Sequence, residues 1–399
     1  MHVPARLWLM LAAMVLAQAA TTVVAAAPAF LIPYLHASEG MSLAAAGMLA
    51  GAPNLGLVTA LVAWGAATDR FGERRVLLAG LALTTATVAA SMLVPLVVPA
   101  AGNGFAVLGI ALVASGAASA CTNSASGRLI TGWFPPERRG LAMGIRQTCQ
   151  PLGMAVAALG VPPLATAFGL PGALGLGGAL TVLSLGVCAL IVRDPERAAP
   201  SAAAVGNPYR GSGALARIHA VSVLLVVPQF ALSTFGLVWF TVGFGWSALA
   251  AGALVALAQF MGAAGRIVVG VWSDRAGSRL GPLRIVAVVG IATLLLAATF
   301  GWAEWSAAAA VAYVVASCVS VADNGLAFTA VAELAGPGWA GRALGIQNTG
   351  QFLAAAAVGP VVGAAIGVIG IPAALACTAL APLLAAPLVP RPDVEIVRR

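Results

Sequence analysis

Long apolar runs separated by short polar turns occupy almost the whole chain. A helix needs about 20 mostly apolar residues to cross a bilayer, and twelve runs reach that length. We predict membrane-spanning helices, numbered as spans 1 to 12, over residues 8–34, 43–67, 76–98, 104–132, 140–163, 170–192, 218–242, 247–271, 282–301, 306–331, 342–365 and 371–390. Span 1 extends too far past Pro28 for a secretory signal, so we expect it to stay uncleaved. The pattern predicts an all-α polytopic membrane protein.

A turn motif is repeated in the two halves of the chain. Span 2 ends in Gly65-Ala-Ala-Thr-Asp69-Arg70-Phe-Gly72, and span 8 ends in Gly270-Val-Trp-Ser-Asp274-Arg275-Ala-Gly277. Such a repeat indicates a tandem duplication, which is typical of secondary transporters. The longer polar segment between the halves is the natural linker. We therefore predict an N-terminal six-helix bundle over residues 1–192, a cytoplasmic linker over 193–217, a C-terminal six-helix bundle over 218–390 and a cytoplasmic tail over 391–399.

Composition and charge support a membrane location. Apolar residues make up 61% of the chain and charged residues 8%, against about a quarter charged in soluble proteins. The net charge is +8, but the basic residues are all arginines spread over alternate turns, so we expect no nucleic-acid partner. By the positive-inside rule both termini are cytoplasmic. We expect a monomer in contact with membrane lipid, in the inner (plasma) membrane of a prokaryote.

The sequence motifs typical of enzymes and ATP-driven pumps are missing from the sequence. It contains no lysine and therefore no Gly-x4-Gly-Lys phosphate loop. The three histidines lie near helix ends, and the five cysteines lie in apolar spans without a Cys-x-x-Cys pair. We expect no catalytic residue, no cofactor and no metal site.

Twelve spans, a six-plus-six repeat and the duplicated Gly-x3-Asp-Arg-x-Gly turn resemble the major facilitator superfamily (MFS) over essentially the whole chain. The segment from Trp133 to Gly140 is also similar to that family's turn between spans 4 and 5. The resemblance implies alternating access, in which two bundles rock around a central cavity lined by spans 1, 2, 4, 5, 7, 8, 10 and 11. The sequence agrees: apart from charges at the turns, spans 3, 6, 9 and 12 contain no Asn, Gln or ionisable residue.

The chain also departs from the family pattern. Glu73 and Ser278 replace the basic residue that usually follows the turn motif, and span 4 lacks the Arg-x-x-Gln-Gly of proton-driven drug exporters. Span 5 has Gly160-Val-Pro-Pro where the exporters have a different Gly-Pro pattern. These departures weaken the case for a drug exporter.

Asp323 is the one acidic residue deep within a span, near mid-membrane in span 10. A carboxyl there suits a proton carrier that is neutral in one state and charged in another, although a structural pair or a hydrogen bond to Ser320 is the alternative. The small-molecule substrate should be held by polar side chains of the cavity spans. We predict substrate contacts from Gln18, Asn123, Arg146, Gln150, Gln229, Arg266, Asn324, Gln347 and Gln351.

The arginines within spans suggest the charge of the substrate. Arg128 and Arg146 are close enough to helix ends to snorkel, but Arg146 is followed at i+4 by Gln150, and an arginine surrounded by amides can bind a carboxylate or phosphate. Three such arginines, with Arg266, stand against one aspartate. The excess of positive charge favours an anionic substrate.

The turn motif has a conformational interpretation. Its glycines allow close backbone approach, and Asp69 can lie against the positive end of a neighbouring helix while Arg70 pairs with it or with lipid phosphate. The resemblance implies a latch for one bundle orientation; simple support of the turn is the alternative. The predicted latch residues are Gly65, Asp69, Arg70, Gly72, Gly270, Asp274, Arg275 and Gly277.

Two transport functions follow from these observations. The first is secondary transport of a small organic or inorganic anion, coupled to protons through Asp323. The alternative is proton-driven efflux of hydrophobic drugs or metabolites on the same fold.

Overall fold

The structure of the protein, a computed structural model, describes residues 4–41, 43–97, 104–195, 207–210 and 213–391. Within these ranges, eleven helical segments are long and apolar enough to cross a membrane, which confirms the predicted all-α membrane class. The helices are α1 (Ala5–Phe30), α2 (Ile32–Ala37), α3 (Leu43–Phe71), α4 (Glu73–Val97), α5 (Gly104–Ser119), α6 (Cys121–Trp133), α7 (Pro136–Arg146), α8 (Cys149–Ile191), α9 (Ala214–Val238), α10 (Ala248–Ala276), α11 (Leu280–Trp302), α12 (Ser306–Ala335), α13 (Ala340–Ile369), α14 (Ile371–Thr378) and α15 (Leu380–Leu388).

One helical segment accounts for two predicted spans. Pro136–Ile191 contains 56 residues, and an unbroken helix of that length would extend ~84 Å, more than twice the thickness of the hydrocarbon core. Gly169 interrupts it with φ 65° and ψ −164°, a conformation that glycine adopts without a steric penalty. The segment therefore crosses twice, as spans 5 and 6, and the described helices correspond to the predicted twelve.

Several spans are divided into two helices. Span 4 consists of α5 and α6, separated by a turn at Ala120. Around this turn, Ser119 donates to the carbonyl of Gly116 at 2.8 Å and Thr122 donates to the carbonyl of Ser119 at 3.1 Å. Hydroxyls that bond back to the preceding turn compete with the helical ladder and bend helices. Span 7 continues from α9 into a π-helical turn, Trp239–Gly243.

The chain divides into two compact units by internal contacts. The first comprises Met1–Trp133, Thr148–Ala203 and Pro337–Thr349, and the second comprises Phe134–Gln147, Ala204–Gly336 and Gly350–Arg399. Each unit therefore consists mainly of one half of the chain plus a short segment from the other half. The predicted boundaries at residues 192 and 218 stay a prediction.

Each unit has its own apolar core. In the first unit, α1 packs against α8, and α4 packs against both α5 and α8, around buried side chains such as Leu35, Leu112 and Val161. In the second unit, α12 packs against α9, α10 and α11. Its core includes Trp239, whose ring meets that of Tyr313 edge-on with centroids 6.3 Å apart. These cores fix the polar side chains described below.

Candidate functional site

A glutamine and an asparagine form a buried pair in the first unit. Gln18 of α1 donates to Oδ1 of Asn123 in α6 at 3.1 Å, and Ser126 donates to Oε1 of Gln18 at 2.9 Å. The exposed fractions of Gln18 and Asn123 are 3% and 6%. Buried amides that satisfy one another in this way fix the orientation of both side chains. The structure therefore brings these two predicted substrate residues together.

The second unit contains a larger amide cluster on the corresponding helices. Asn324 of α12 donates to Oε1 of Gln229 in α9 at 2.9 Å. Gln351 of α13 donates to Oδ1 of Asn324 at 3.1 Å and to the hydroxyl of Ser222 at 2.6 Å. Gln229 is half-buried and ends the series. We call these four residues the amide cluster. Both units thus join their first and fourth spans through a Gln–Asn pair.

Two buried guanidinium groups meet at Gln147 in the second unit. Arg146, at the end of α7, donates to Oε1 of Gln147 at 3.3 Å, and Arg266 of α10 donates to the backbone carbonyl of Gln147 at 2.7 Å. Their exposed fractions are 1% and 6%. Arg146 also lies over the ring of Phe328, with 5.5 Å between the guanidinium carbon and the ring centroid.

Asp323 is buried on α12, with an exposed fraction of 2%. The charge of Arg266, from α10, acts on its carboxylate. Arg266 also donates to the backbone carbonyl of Val321 at 3.3 Å. The structure therefore associates the predicted proton carrier with one of the two arginines.

Two further predicted substrate residues belong to the first unit. A turn at Gln147 and Thr148 ends α7 before α8 begins, so Arg146 and Gln150 belong to different helices. Gln150 is half-buried in the first unit, whereas Arg146 belongs to the second. Gln347 is buried and also belongs to the first unit. The expectation that Arg146 and Gln150 share a face stays a prediction.

The first turn motif caps a helix through its aspartate. Both oxygens of Asp69 accept backbone N–H groups at the start of α13: Gly341 at 2.8 Å and Arg342 at 3.0 Å. This is the expected meeting of a carboxylate with a positive helix end. Arg128 pairs with Asp69 at 3.1 Å and with Glu73 at 3.2 Å, and all three side chains are at most 8% exposed.

The second turn motif repeats this geometry with other partners. Asp274 accepts the N–H groups of Gly140 at 2.8 Å and Leu141 at 2.9 Å, in α7. Its cation is Arg279, which donates to Asp274 at 2.6 Å and approaches Glu333 at 3.6 Å. Arg279 also donates to the backbone carbonyl of Pro136.

The glycines of the two motifs allow backbones to touch. A Cβ at Gly65 would lie 2.3 Å from the carbonyl oxygen of Gly341, and one at Gly270 would lie 2.3 Å from that of Gly140. Gly72 and Gly277 have φ values of 98° and 61°, which favour glycine. The expectation of close approach and sharp turning is confirmed for these four glycines.

Arg70 and Arg275, the arginines within the two motifs, are not the cations that contact the motif aspartates in the described structure. Arg70 is exposed and lies over the ring of Phe71, 5.2 Å from its centroid, and Arg275 is also exposed. The cations that contact the aspartates are Arg128 and Arg342 in the first unit and Arg279 in the second. Of the two partners expected for Arg70, no bond to Asp69 is found among the described residues, and contact with lipid phosphate stays a prediction.

Comparison with known proteins identifies the fold. The family model of the Major Facilitator Superfamily matches residues 9–360. The chain belongs to this family. The MFS members are secondary transporters, so the protein is an integral membrane transporter of small molecules.

Relatives and solved structures agree with this assignment. The uncharacterized MFS-type transporter Rv2994 of Mycobacterium tuberculosis (strain ATCC 25618 / H37Rv) is 45% identical over 365 residues, which cover 91% of this chain and 80% of that protein. The proton:xylose symporter XylE superposes with a TM-score of 0.77 at 15% identity, covering 100% of both chains. The human organic anion transporter MFSD10 (TETRAN) gives 0.71 at 18% identity, covering 96% of this chain and 98% of that one. At these identities the structural likeness shows the MFS fold.

Sequence reasoning missed several residues of the capping networks. Arg279 follows the second motif and contacts Asp274, but Arg74, its counterpart after the first motif, donates to Val192 and Ala189 at the end of span 6 instead. The one signal in the sequence was Glu73, an acidic residue where the family pattern has a basic one. It indicated that the charges around the first motif differ from those around the second.

Proposed function

We propose that the protein transports a small organic or inorganic anion by alternating access, coupled to protons through Asp323. The transporter would lie in the plasma membrane of a prokaryote with both termini in the cytoplasm. This assigns a substrate charge and a coupling ion to the general activity of the family.

The observation that supports an anion is the convergence of Arg146 and Arg266 on Gln147. Gln147 accepts from both guanidinium groups, from Arg146 at its side-chain oxygen and from Arg266 at its backbone carbonyl. Two cations buried in one small region of low polarity are costly unless negative charge balances them. A carboxylate or phosphate can receive two parallel hydrogen bonds from a guanidinium group, and arginine is well suited to such recognition.

The charge balance around Arg266 depends on whether Asp323 carries a proton. Arg128, the third span arginine, contacts Asp69 and Glu73 in the first unit instead. Asp323 offsets one of the other two arginines when it is ionised and neither when it is protonated. An anion would therefore be held most strongly when Asp323 carries a proton. This is the thermodynamic condition for symport of an anion with protons.

The amide cluster would supply neutral hydrogen-bond groups to the same substrate. Gln229 stands at its end, half-buried, and its amide nitrogen can donate to an oxygen atom. Amides contribute hydrogen bonds without adding charge, so they can distinguish anions of different shape while the arginines supply the attraction.

Binding can be tested without knowing the substrate. Purified protein is screened by thermal shift against nitrate, phosphate, acetate and succinate. Ligand at 100 times its Kd stabilises the folded state by about 2.7 kcal/mol, so the melting temperature should rise for the anion that binds. We expect Arg146→Gln to abolish the rise and the exposed control Arg75→Gln to retain it. A rise that survives Arg146→Gln in a folded variant, or no rise with any anion, contradicts an anion site at Arg146.

Coupling is tested with the anion that produces the shift. Proteoliposomes should accumulate it when an inward proton gradient is imposed, and Asp323→Asn should abolish accumulation while keeping the thermal shift. If the variant accumulates the anion with unchanged pH dependence, Asp323 is structural. Proton-driven extrusion of ethidium that is indifferent to Arg146→Gln would favour the efflux alternative.

A further inference from the structure

A small cavity lies beside Asp323 in the interior of the second unit. It is lined by α9, α11, α12 and α15, and the space open to the centre of a water-sized sphere is about 10 Å³. That is the size needed for a single water molecule. The polar side chains in its wall are Asp323 and Ser320, one turn apart on α12. The remaining lining residues are Leu225, Pro228, Val286, Gly290, Leu294, Ala316, Val319 and Pro382.

This cavity is distinct from the amide cluster. Asn324, the next residue along α12, is rotated by about 100° from Asp323 and bonds to Gln229 and Gln351. Asp323 instead shares a helix face with Ala316, Val319 and Ser320. One helix therefore carries the amide group on one face and the carboxyl on another.

We propose that the cavity binds one water molecule, through which the Asp323 carboxyl exchanges its proton. The inference rests on the proposed role of Asp323 as proton carrier. Ser320 already donates its hydroxyl hydrogen to the carbonyl of Ser317 at 2.9 Å, so its oxygen can accept from the water. The water then accepts from the protonated carboxyl, or donates to the ionised one. In both states it has two polar partners, the minimum for a buried water.

The composition of the wall favours water over a metal cation. A cation such as Ca²⁺ takes about 6–8 oxygen ligands, whereas two side chains of this wall contain oxygen. Asp323 is the one ionisable residue among those that line the cavity, and the charged group acting on it is Arg266 from α10. An uncharged ligand of one oxygen atom fits both the size and the charge.

Gly290 of α11 provides a way to fill the cavity without strain. A Cβ built there would lie 3.9 Å from Cβ of Pro382 and 3.9 Å from Cγ1 of Val319, which are ordinary contacts with two residues of the same wall. Gly290→Ala should therefore remove the space for water while keeping the fold. Gly186 of α8, where a Cβ meets nothing within 4 Å, provides a matched glycine-to-alanine control.

The test measures exchange at the carboxyl by infrared spectroscopy on the purified full chain. The protonated carboxyl band that disappears in Asp323→Asn, followed over a pH series, is assigned to Asp323. After transfer to D₂O we expect this band to shift about tenfold more slowly, or more, in Gly290→Ala than in the wild type. Gly186→Ala should exchange at the wild-type rate, and Ser320→Ala should fall between them.

The outcomes separate the water site from the proposed function. Exchange at the wild-type rate in a folded Gly290→Ala variant overturns the water site, as does the absence of any Asp323 band across the pH series. Slow exchange in Gly290→Ala together with unchanged gradient-driven uptake in Asp323→Asn supports the water site and overturns coupling through Asp323. Loss of coupling in Asp323→Asn together with wild-type exchange in Gly290→Ala supports coupling through Asp323 and overturns the water site.

Discussion

At the scale of single residues, each motif aspartate contacts an arginine that also contacts a second carboxylate. The two units differ in which part of the chain supplies the arginine and which supplies the second carboxylate. In the first unit the cation, Arg128, comes from span 4 and the added acid, Glu73, follows the motif. In the second unit the cation, Arg279, follows the motif and the acid, Glu333, comes from span 10. Both arrangements place one arginine between the capping aspartate and a second carboxylate. The position of a charge along the chain is therefore less constrained than its position beside the aspartate.

Exchanging the two charges in the first unit tests this equivalence. Arg128→Glu leaves two buried carboxylates beside a third, and breaking a buried pair costs about 3–5 kcal/mol. We expect the melting temperature of Arg128→Glu to fall sharply. The double variant Glu73→Arg/Arg128→Glu should recover at least half of the loss, because it recreates the order found in the second unit. A double variant no more stable than Arg128→Glu would show that the two networks are not interchangeable.

The sequence identified candidate site residues where a charged or polar side chain lies within a membrane span, because such residues are costly there. Asp323 and Arg266 stood out because charges within spans are costly, and the structure associates the two. The pairs Gln18–Asn123 and Gln229–Asn324 were each found as single polar residues, but their hydrogen bonds depend on how helices pack side by side. Arg128 was misjudged because its partners, Asp69 and Glu73, come from another span.

At the scale of helices, hydrophobic run length determined most of the architecture. It located the spans because lipid requires the backbone to satisfy its own hydrogen bonds over a fixed thickness. It missed the divisions within spans, such as the turn at Gln147 and Thr148, because run length gives the extent of a span and not the places where its helix is interrupted. That turn places Arg146 and Gln150 in different helices.

Close contact between α3 and α13 makes a helix-scale prediction. A Cβ at Gly341 would lie 2.4 Å from the carbonyl oxygen of Gly65 and 2.7 Å from Oδ1 of Asp69. Gly341→Ala should therefore destabilise this conformation by about 1–3 kcal/mol, the cost of overpacking. Gly367→Ala in the same helix meets nothing within 4 Å and should be neutral or stabilising by up to ~1 kcal/mol. Thermal unfolding of both variants checks the contrast, and equal melting temperatures would contradict it.

At the scale of the whole molecule, each unit contains one aspartate that accepts backbone N–H groups of a helix from the other half of the chain. Asp69 accepts at the start of α13, and Asp274 accepts from Gly140 and Leu141, in the second turn of α7. If these caps form the proposed latch for one orientation of the bundles, they must form and release in the same transition. Alternating access then couples two sites that share no hydrogen bond in the structure as described.

Hydrogen–deuterium exchange of the two helix starts measures that coupling. Asp69→Asn removes the charge that holds the N–H groups of Gly341 and Arg342, so exchange must rise at residues 340–345. If the caps are parts of one latch, the population shifts toward the released state, and exchange also rises at residues 136–141, to which Asp69 makes no hydrogen bond in the described structure. Asp274→Asn should produce the converse pair of changes. A rise confined to the helix next to each substituted aspartate would mean that the two caps stabilise their turns independently, because a shift between two global states exposes both helix starts together.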